Sequence, residues 1–457
     1  MSEPGCLFGE LPEQIADREP PAEPARPRLR EPQRDQIELR VVDLDGLLPS
    51  DHPARAVWAF VEQLDLSPLD LSPLLDAIKA REGEPGHPPA NPQIPMALWL
   101  YATIEAVGSA RALARLCESH VAYQWICGGV SMNHHTLSDF RVAQVALLDR
   151  LLAQGVAALV AEGLVQLERL AQDGVRIRAA AGSSSYRRRV RLEKLLAAGE
   201  ARVAALKAEL ETDPAAGTAR QRAARERAAR ERVERTRAAL ERMAQLEAER
   251  ARRAKTHKKD VAKQKEPRAS TTDAEARVMK MADGGFRPAY NGQFASDPET
   301  QVIVAVDLDT TGSDQGLIGP MQDQIRQSYG QVPKQYLVDG GFTNLEDIEK
   351  AHAQGIEVFA PPPNNKHATD PFAPRDDDGP GTKAWRTRMS SEEGKAVYRH
   401  RAKAECVNAD LRNRGLQRLL LRGRDKVRAV LLWFAVAHNL MRAMALRMAA
   451  ARAAALG

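Results

Sequence analysis

An interruption limits what this chain can fold into more than any other feature. The stretch LAQDGVRIRAAAG at 170–182 alternates Val175 and Ile177 with Arg176 and Arg178, the period of two expected of a half-buried strand. Strand character returns only at FRPAYNGQFAS (286–296) and TQVIVAVDLD (300–309). Between them the pattern is helical. Leu192, Leu196, Gly199, Val203, Leu206 and Leu210 step by four and three, and so do Ala229, Val233, Thr236, Leu240 and Met243 after the breakers Asp213-Pro214 and Gly217. Two heptad seams joined by a Pro/Gly turn predict an antiparallel helical hairpin. It is spliced between strands that read as parts of one sheet.

The rest of the chain completes that sheet. The stretches 286–296 and 300–309 read as a hairpin turned at Ser296-Asp297-Pro298. A helix is expected around GLIGPMQDQIRQSYG, a strand at YLVDGGF ending in Asp339, a helix over NLEDIEKAHAQG and a strand at IEVFAP. A polar, proline-bearing loop then leads to a long helical pattern over about 391–452. From Leu39 to Leu152 apolar residues recur at three and four, and in HHTLSDFR either Thr136 or Ser138 could cap the following helix. The expectation is a multi-domain α/β chain. It has a disordered Pro-rich tail at 1–35, a helical domain at 36–165, and a mixed five-stranded sheet with flanking helices at 166–186 and 269–450. The basic coiled-coil hairpin at 187–268 interrupts the sheet.

Charge singles out the hairpin. Arg187 to Arg268 carries 25 lysines and arginines against 13 acids, whereas the rest of the chain carries 41 against 48. A net +5 thus conceals one basic segment, either a solvated, self-paired coiled coil or a contact for a polyanion. The four cysteines form no CxxC pair, which fits a reducing cytoplasm. The N-terminus has no basic start followed by an apolar run. The most apolar stretch, VRAVLLWFAVAHNLM at 427–441, reads as a buried core helix too short and polar to span a bilayer. No membrane association is expected.

Three acids could carry chemistry. Asp339, at the tip of an apolar strand, is either an Asp-Gly turn residue or a ligand at the carboxyl end of a sheet. Asp173 lies in the first strand. In YRHRAKAECVNADLR, Tyr398, Arg401, Glu405 and Arg412 step by three, four and seven and would share one helix face. That face is either a surface salt-bridge row or one that offers Glu405 to metal ions while Arg401 and Arg412 meet phosphates. Asp307 and Asp309 end a strand and could be mistaken for site ligands; Asp309, before Thr-Thr-Gly, reads as a turn residue. Cys117, His120, Cys127 and His134, separated by three, seven and seven, lack the close pairs of a zinc site. Trp385, placed in the loop before the last helical pattern, reads as packing.

The spacing Tyr398, Arg401, Glu405 resembles the signature around the catalytic glutamate of bacterial insertion-sequence transposases with a ribonuclease H-like DDE core. Arg412 stands where the family usually has a lysine. DGVRIRAAAG and YLVDGGFTN resemble the family's first and second aspartate motifs, HHTLSDFR its helical DNA-binding domain, and KMADGGFRPAYNGQFA and GLQRLLLRGRDKVRAVLLW the subgroup with a coiled-coil insertion. The resemblance implies that Asp173, Asp339 and Glu405 are catalytic and hold two Mg²⁺ (Mn²⁺ may substitute), and that Tyr398, Arg401 and Arg412 bind DNA. It also implies double-stranded DNA (element ends and target) as partner, a homodimer on DNA, and a bacterial, nucleoid-associated location in the cytoplasm. Other readings are an inactive DNA-binding descendant, a metal-dependent nuclease and a coiled-coil scaffold.

Overall fold

The computed structural model describes residues 43–64, 90–212, 218–256, 266–362 and 370–456. The Pro-rich tail and the turn at Pro214 and Gly217 lie outside them. Helices α1 (Pro53–Glu62), α2 (Gln93–Ile104), α3 (Ala110–Ser119), α4 (Val121–Cys127), α5 (His134–Ala143) and α6 (Val145–Ala161) come first. Strand β1 (Arg169–Arg178) leads through the short β2 (Tyr186–Arg187) to helices α7 (Arg189–Thr212) and α8 (Ala219–Thr256). The chain returns by β3 (Ala269–Ser270), β4 (Arg277–Lys280), β5 (Phe286–Ser296) and β6 (Ile303–Asp309). Then follow α9 (Ile318–Tyr329), β7 (Gln335–Leu337), α10 (Leu345–Ala353), β8 (Glu357–Phe359), α11 (Pro380–Ser390), α12 (Glu392–Arg399), α13 (Ala402–Asn413) and α14 (Arg424–Leu456).

β1 is the centre of the sheet. β5 runs antiparallel beside it from Ala171 opposite Ser296 to Arg178 opposite Ala289, and β7 runs parallel on its other side, followed by β8. The outer side of β5 is shared end to end by β6 and β4, so the mixed sheet is five strands wide with β4 as an added corner. This is the ribonuclease H-like arrangement the sequence implied. Asn439 of α14 gives the β6 edge its partners: its amide donates to the Ile303 carbonyl at 2.7 Å and its oxygen accepts from the Ile303 N–H at 2.8 Å.

Val175 and Ile177 are fully buried and Arg178 is exposed, so the alternation along β1 is a true alternation of faces. Their face packs with Leu98, Trp99 and Leu137 of the N-terminal helices and with Leu431 and Trp433 of α14 in a single core. The opposite face, with Leu170, Tyr336 and Val358, packs on α6, α9 and α10. The N-terminal helices therefore share a core with the sheet. Asp149 takes both arms of Arg428, with Arg428 Nη2 donating to Oδ1 at 2.8 Å.

α14 is the spine of the molecule. The apolar run read as a short core helix belongs to a 33-residue helix. Among the described residues it alone is long and apolar enough by itself to cross a membrane, and 72% of its most apolar window is buried in the protein. Trp433 is fully enclosed and donates from Nε1 to the Arg141 carbonyl at 2.9 Å. Trp433→Ala is expected to cost about 3–5 kcal/mol. Urea unfolding would show this as a lower midpoint at unchanged slope.

The hairpin is antiparallel. Arg189 Nη2 lies 2.6 Å from Glu247 Oε2, and Arg237 Nη2 lies 2.6 Å from Glu200 Oε1. Val233, Thr236 and Met243 of the expected seam are buried. The glycine in the seam, Gly199, marks a close approach: a Cβ there would stand 3.0 Å from Val233 Cγ2. At the base, β2 and β3 pair and close the insertion on itself.

Several local expectations are corrected. Asn133, not Thr136 or Ser138, caps α5, its side chain accepting from the N–H groups of His135 and Thr136. Trp385 is not in a loop; it sits in α11, buried, with Nε1 donating to the Ala360 carbonyl. The pattern over 391–452 is three helices, and the first break, at His400-Arg401, falls inside the proposed signature face. Arg401 N–H bonds the Tyr398 carbonyl and Ala404 N–H the Arg401 carbonyl, a tightened turn with no glycine or proline to announce it.

Candidate active site at the sheet edge

Asp173 projects from β1 toward α13. Its side chain is only 15% exposed, and Oδ2 accepts from Asn408 Nδ2 at 2.8 Å while Oδ1 accepts from the Gly174 N–H at 3.0 Å. Burial pushes its pKa up, against the pull of Arg401 and the Asn408 hydrogen bond. Gly174 follows because nothing larger fits: a Cβ there would lie 2.6 Å from Gln293 Nε2 and 2.8 Å from Asp314 Oδ1.

Asp339 takes the turn position and also faces the neighbouring cluster. One oxygen accepts from the Gly341 N–H at 2.7 Å and caps a 3₁₀ turn at Gly340–Phe342. The other faces inward, 3.8 Å from Arg401 Nη2. β7 lies parallel to β1, so both aspartates reach the same end of the sheet.

Arg401 ties the acids together. Its Nη2 is 3.6 Å from Asp173 Oδ1 and 3.8 Å from Asp339 Oδ2, and Nη1 donates to Glu405 Oε1 at 2.7 Å. One guanidinium thus touches all three acids that the sequence singled out. Burial would lower its pKa, but the Glu405 hydrogen bond and the Asp173 charge outweigh burial and raise it. Tyr398 is half-buried beside it, its hydroxyl pKa raised mainly by burial. Glu405 is 59% exposed, on the open side of the cluster.

α13 is anchored from behind. Asp410 accepts from His438 Nδ1 at 2.9 Å and from Arg414 Nε at 2.9 Å, and the His438 bond, followed by Arg414, holds its pKa down at about 2. Arg412 does not join the acids. It is exposed and lines a separate cleft with Gly174, Arg176 and Arg178.

Asn408 was missed. It stands three residues after Glu405, on the same side of α13, and is buried against Asp173. That spacing was the available signal. Asp309 accepts from the Thr311 N–H and hydroxyl in a turn. Cys117 and Cys127 are buried against each other, and His120 caps α4.

Comparison with known families fits the geometry. A model described as Transposase DDE domain matches residues 250–440, and one described as Transposase domain (DUF772) matches 42–143. Together they span well over half of the chain. The chain belongs to the DDE-type insertion-sequence transposases. In the transposase the first match contains Asp339 and Glu405 and the second the helices α1–α5, whereas Asp173 lies in neither. No curated protein and no solved structure matches the transposase.

The family acts on DNA and uses divalent metal, and the donor chemistry here fits such an ion. The candidate ligands are hard oxygens: three carboxylates and Asn408 Oδ1, a buried acceptor without a hydrogen-bond partner. As they stand they form no finished cage. Among the described residues no three His, Cys, Asp or Glu side chains are grouped to hold a metal. Arg401 lies between them.

Proposed function

We propose that the protein binds the ends of an insertion sequence, cuts them and joins the freed 3′-hydroxyl to target DNA at the Asp173, Asp339 and Glu405 site. The single observation that supports this is the meeting of all three acids on the Arg401 guanidinium. Acids from two parallel strands and one helix have no reason to share a cation at one end of the sheet unless that end is built to hold positive charge. Two Mg²⁺ bound there would activate the attacking oxygen and stabilise the leaving one.

The protein's own groups would do the positioning. Asp173 and Asp339 fix the floor from the strand ends, Asn408 orients Asp173, and Glu405 closes the site from α13. Displaced from the acids, Arg401 would hold a phosphate oxygen of the strand being cut, with Tyr398 buttressing it. A pair of ends cut together calls for a homodimer on DNA, and the reading places the protein in the bacterial cytoplasm at the nucleoid.

A labelled duplex carrying an element end, incubated with Mg²⁺, is expected to give nicked ends and then strand-transfer products, both stopped by EDTA. Nicking without joining would reduce the activity to that of a nuclease. Neither product from a protein that binds the ends would overturn the assignment.

A further inference from the structure

Where the N-terminal helices meet the sheet, the protein encloses a charge without a counter-charge. Arg141 of α5 is 6% exposed. Its Nη1 donates to the Gly108 carbonyl at 2.7 Å, and its guanidinium lies 4.4 Å from the Trp99 ring. Nε has no hydrogen-bond partner, and no carboxylate meets the group among the described residues. A carbonyl and a ring face offset only part of the cost of burying a full charge. Burial accordingly pulls the pKa of this guanidinium down to about 10.

Arg141 lines a cavity of about 50 Å³. Arg414 and Arg418 line it too, and no acid does. Arg414 is already bonded to Asp410, whereas Arg418 is exposed and has no ion-pair partner among the described residues. The walls come from both sides of the seam. One is the turn between α2 and α3, where Ala106 is held in the left-handed region at a φ of 59°. The other is the segment after α13, where Gly415 packs on that turn: a Cβ there would stand 3.7 Å from the Ala106 carbonyl oxygen. This segment is pinned to the end of β1. The Arg178 N–H donates to the Gln417 carbonyl at 3.0 Å, and the Leu419 N–H to the Arg178 carbonyl at 2.8 Å.

Space and charge together narrow the guest. At about 10–15 Å³ for each water, the cavity has room for roughly three to five. That suits a small inorganic anion and is too little for a nucleotide. A phosphodiester, with a sugar on either side, does not reach a guanidinium so deeply enclosed. We propose that the cavity binds a free inorganic anion, chloride or a tetrahedral oxyanion, with Arg141 at its inner end and Arg418 on its exposed side. The anion neutralises the buried charge. It also clamps the α2–α3 turn to the segment that follows α13, the helix of Glu405 and Asn408. The inference stands apart from the transposase reading.

The test is thermal melting of the full chain in sodium gluconate, whose anion is too large for the cavity, with chloride or phosphate replacing gluconate at constant ionic strength. A ligand held only by the folded state raises stability with the logarithm of its concentration above Kd. Wild type is expected to show that rise with chloride, phosphate or both, and the anion that acts identifies the guest. Arg141→Met, similar in length and uncharged, is expected to lose the rise. Arg418→Ala, changed at an exposed position, is expected to need about fivefold more anion for the same shift, the upper range for an exposed ion pair. Phosphate also stabilises folded proteins by exclusion from their surface, but that shift is common to all three proteins. Equal rises in wild type and both variants, or no rise in wild type, would overturn the site. If Arg141→Met does not fold, the comparison of wild type with Arg418→Ala decides by itself.

Discussion

Asp173→Asn is expected to give a protein that binds element ends, melts at a higher temperature than wild type and does not cut. Loss of cutting should reach about 10³-fold or more, the scale seen when one member of a catalytic unit is removed. The amide keeps an oxygen for the Gly174 N–H but can no longer serve as an anionic ligand. The rise in stability follows from the raised pKa of Asp173, caused first by burial. A carboxyl with a raised folded-state pKa binds its proton more tightly folded than unfolded, so its charge costs stability at every pH above that raised value. The cost fades as pH falls through the raised value and is gone below the usual 3.8. Thermal melts of both proteins across pH should therefore separate at pH 7 and converge in acid. A variant that melts lower than wild type at pH 7, or that still cuts, would remove Asp173 from the site.

Arg401→Ala should move two quantities in opposite directions. Without metal the variant should melt lower than wild type, because Asp173, Asp339 and Glu405 lose the cation they share. With added Mg²⁺ it should be rescued at on the order of tenfold lower concentration, since the ion no longer competes with a guanidinium and each 1.4 kcal/mol of competition is a factor of ten. Cutting at saturating Mg²⁺ should nevertheless fall by about 10²–10³-fold, the usual loss on removing one donor aimed at developing charge. Mg²⁺ titrations followed by melting temperature read the first effect without any turnover. A variant with the same metal-free stability and the same Mg²⁺ midpoint as wild type would mean that Arg401 merely lies near the acids.

Much of this was legible beforehand because it is local. Alternation marked β1, and heptad spacing marked the hairpin with its glycine. The turn residue Asp339 showed itself by standing after three apolar residues. What was not legible depended on partners far away in the chain. β2 and β3 are too short to have a period. The N-terminal helices looked like a separate domain because their apolar residues recur at helical spacing over one continuous stretch; only the fold shows that α14 and the sheet complete their core. The break at His400-Arg401 lacks a breaker residue, and it lets Arg401 turn in toward the acids rather than lie along one face with Arg412. Arg401 carried a DNA role by resemblance, whereas the fold gives it a first role as counter-ion.

The closed base of the helical hairpin bears on how the chain can reach this state. β1 must find β5 more than a hundred residues later and β7 later still, and pairings of such separation slow folding because a long loop is closed before any contact rewards it. Helices α7 and α8 form from neighbours in sequence, and zipping them down to β2 and β3 brings the end of β1 close to β4. The insertion is then a tether that shortens the search for the central strand pair, and a cut in either arm would burden refolding more than the finished protein.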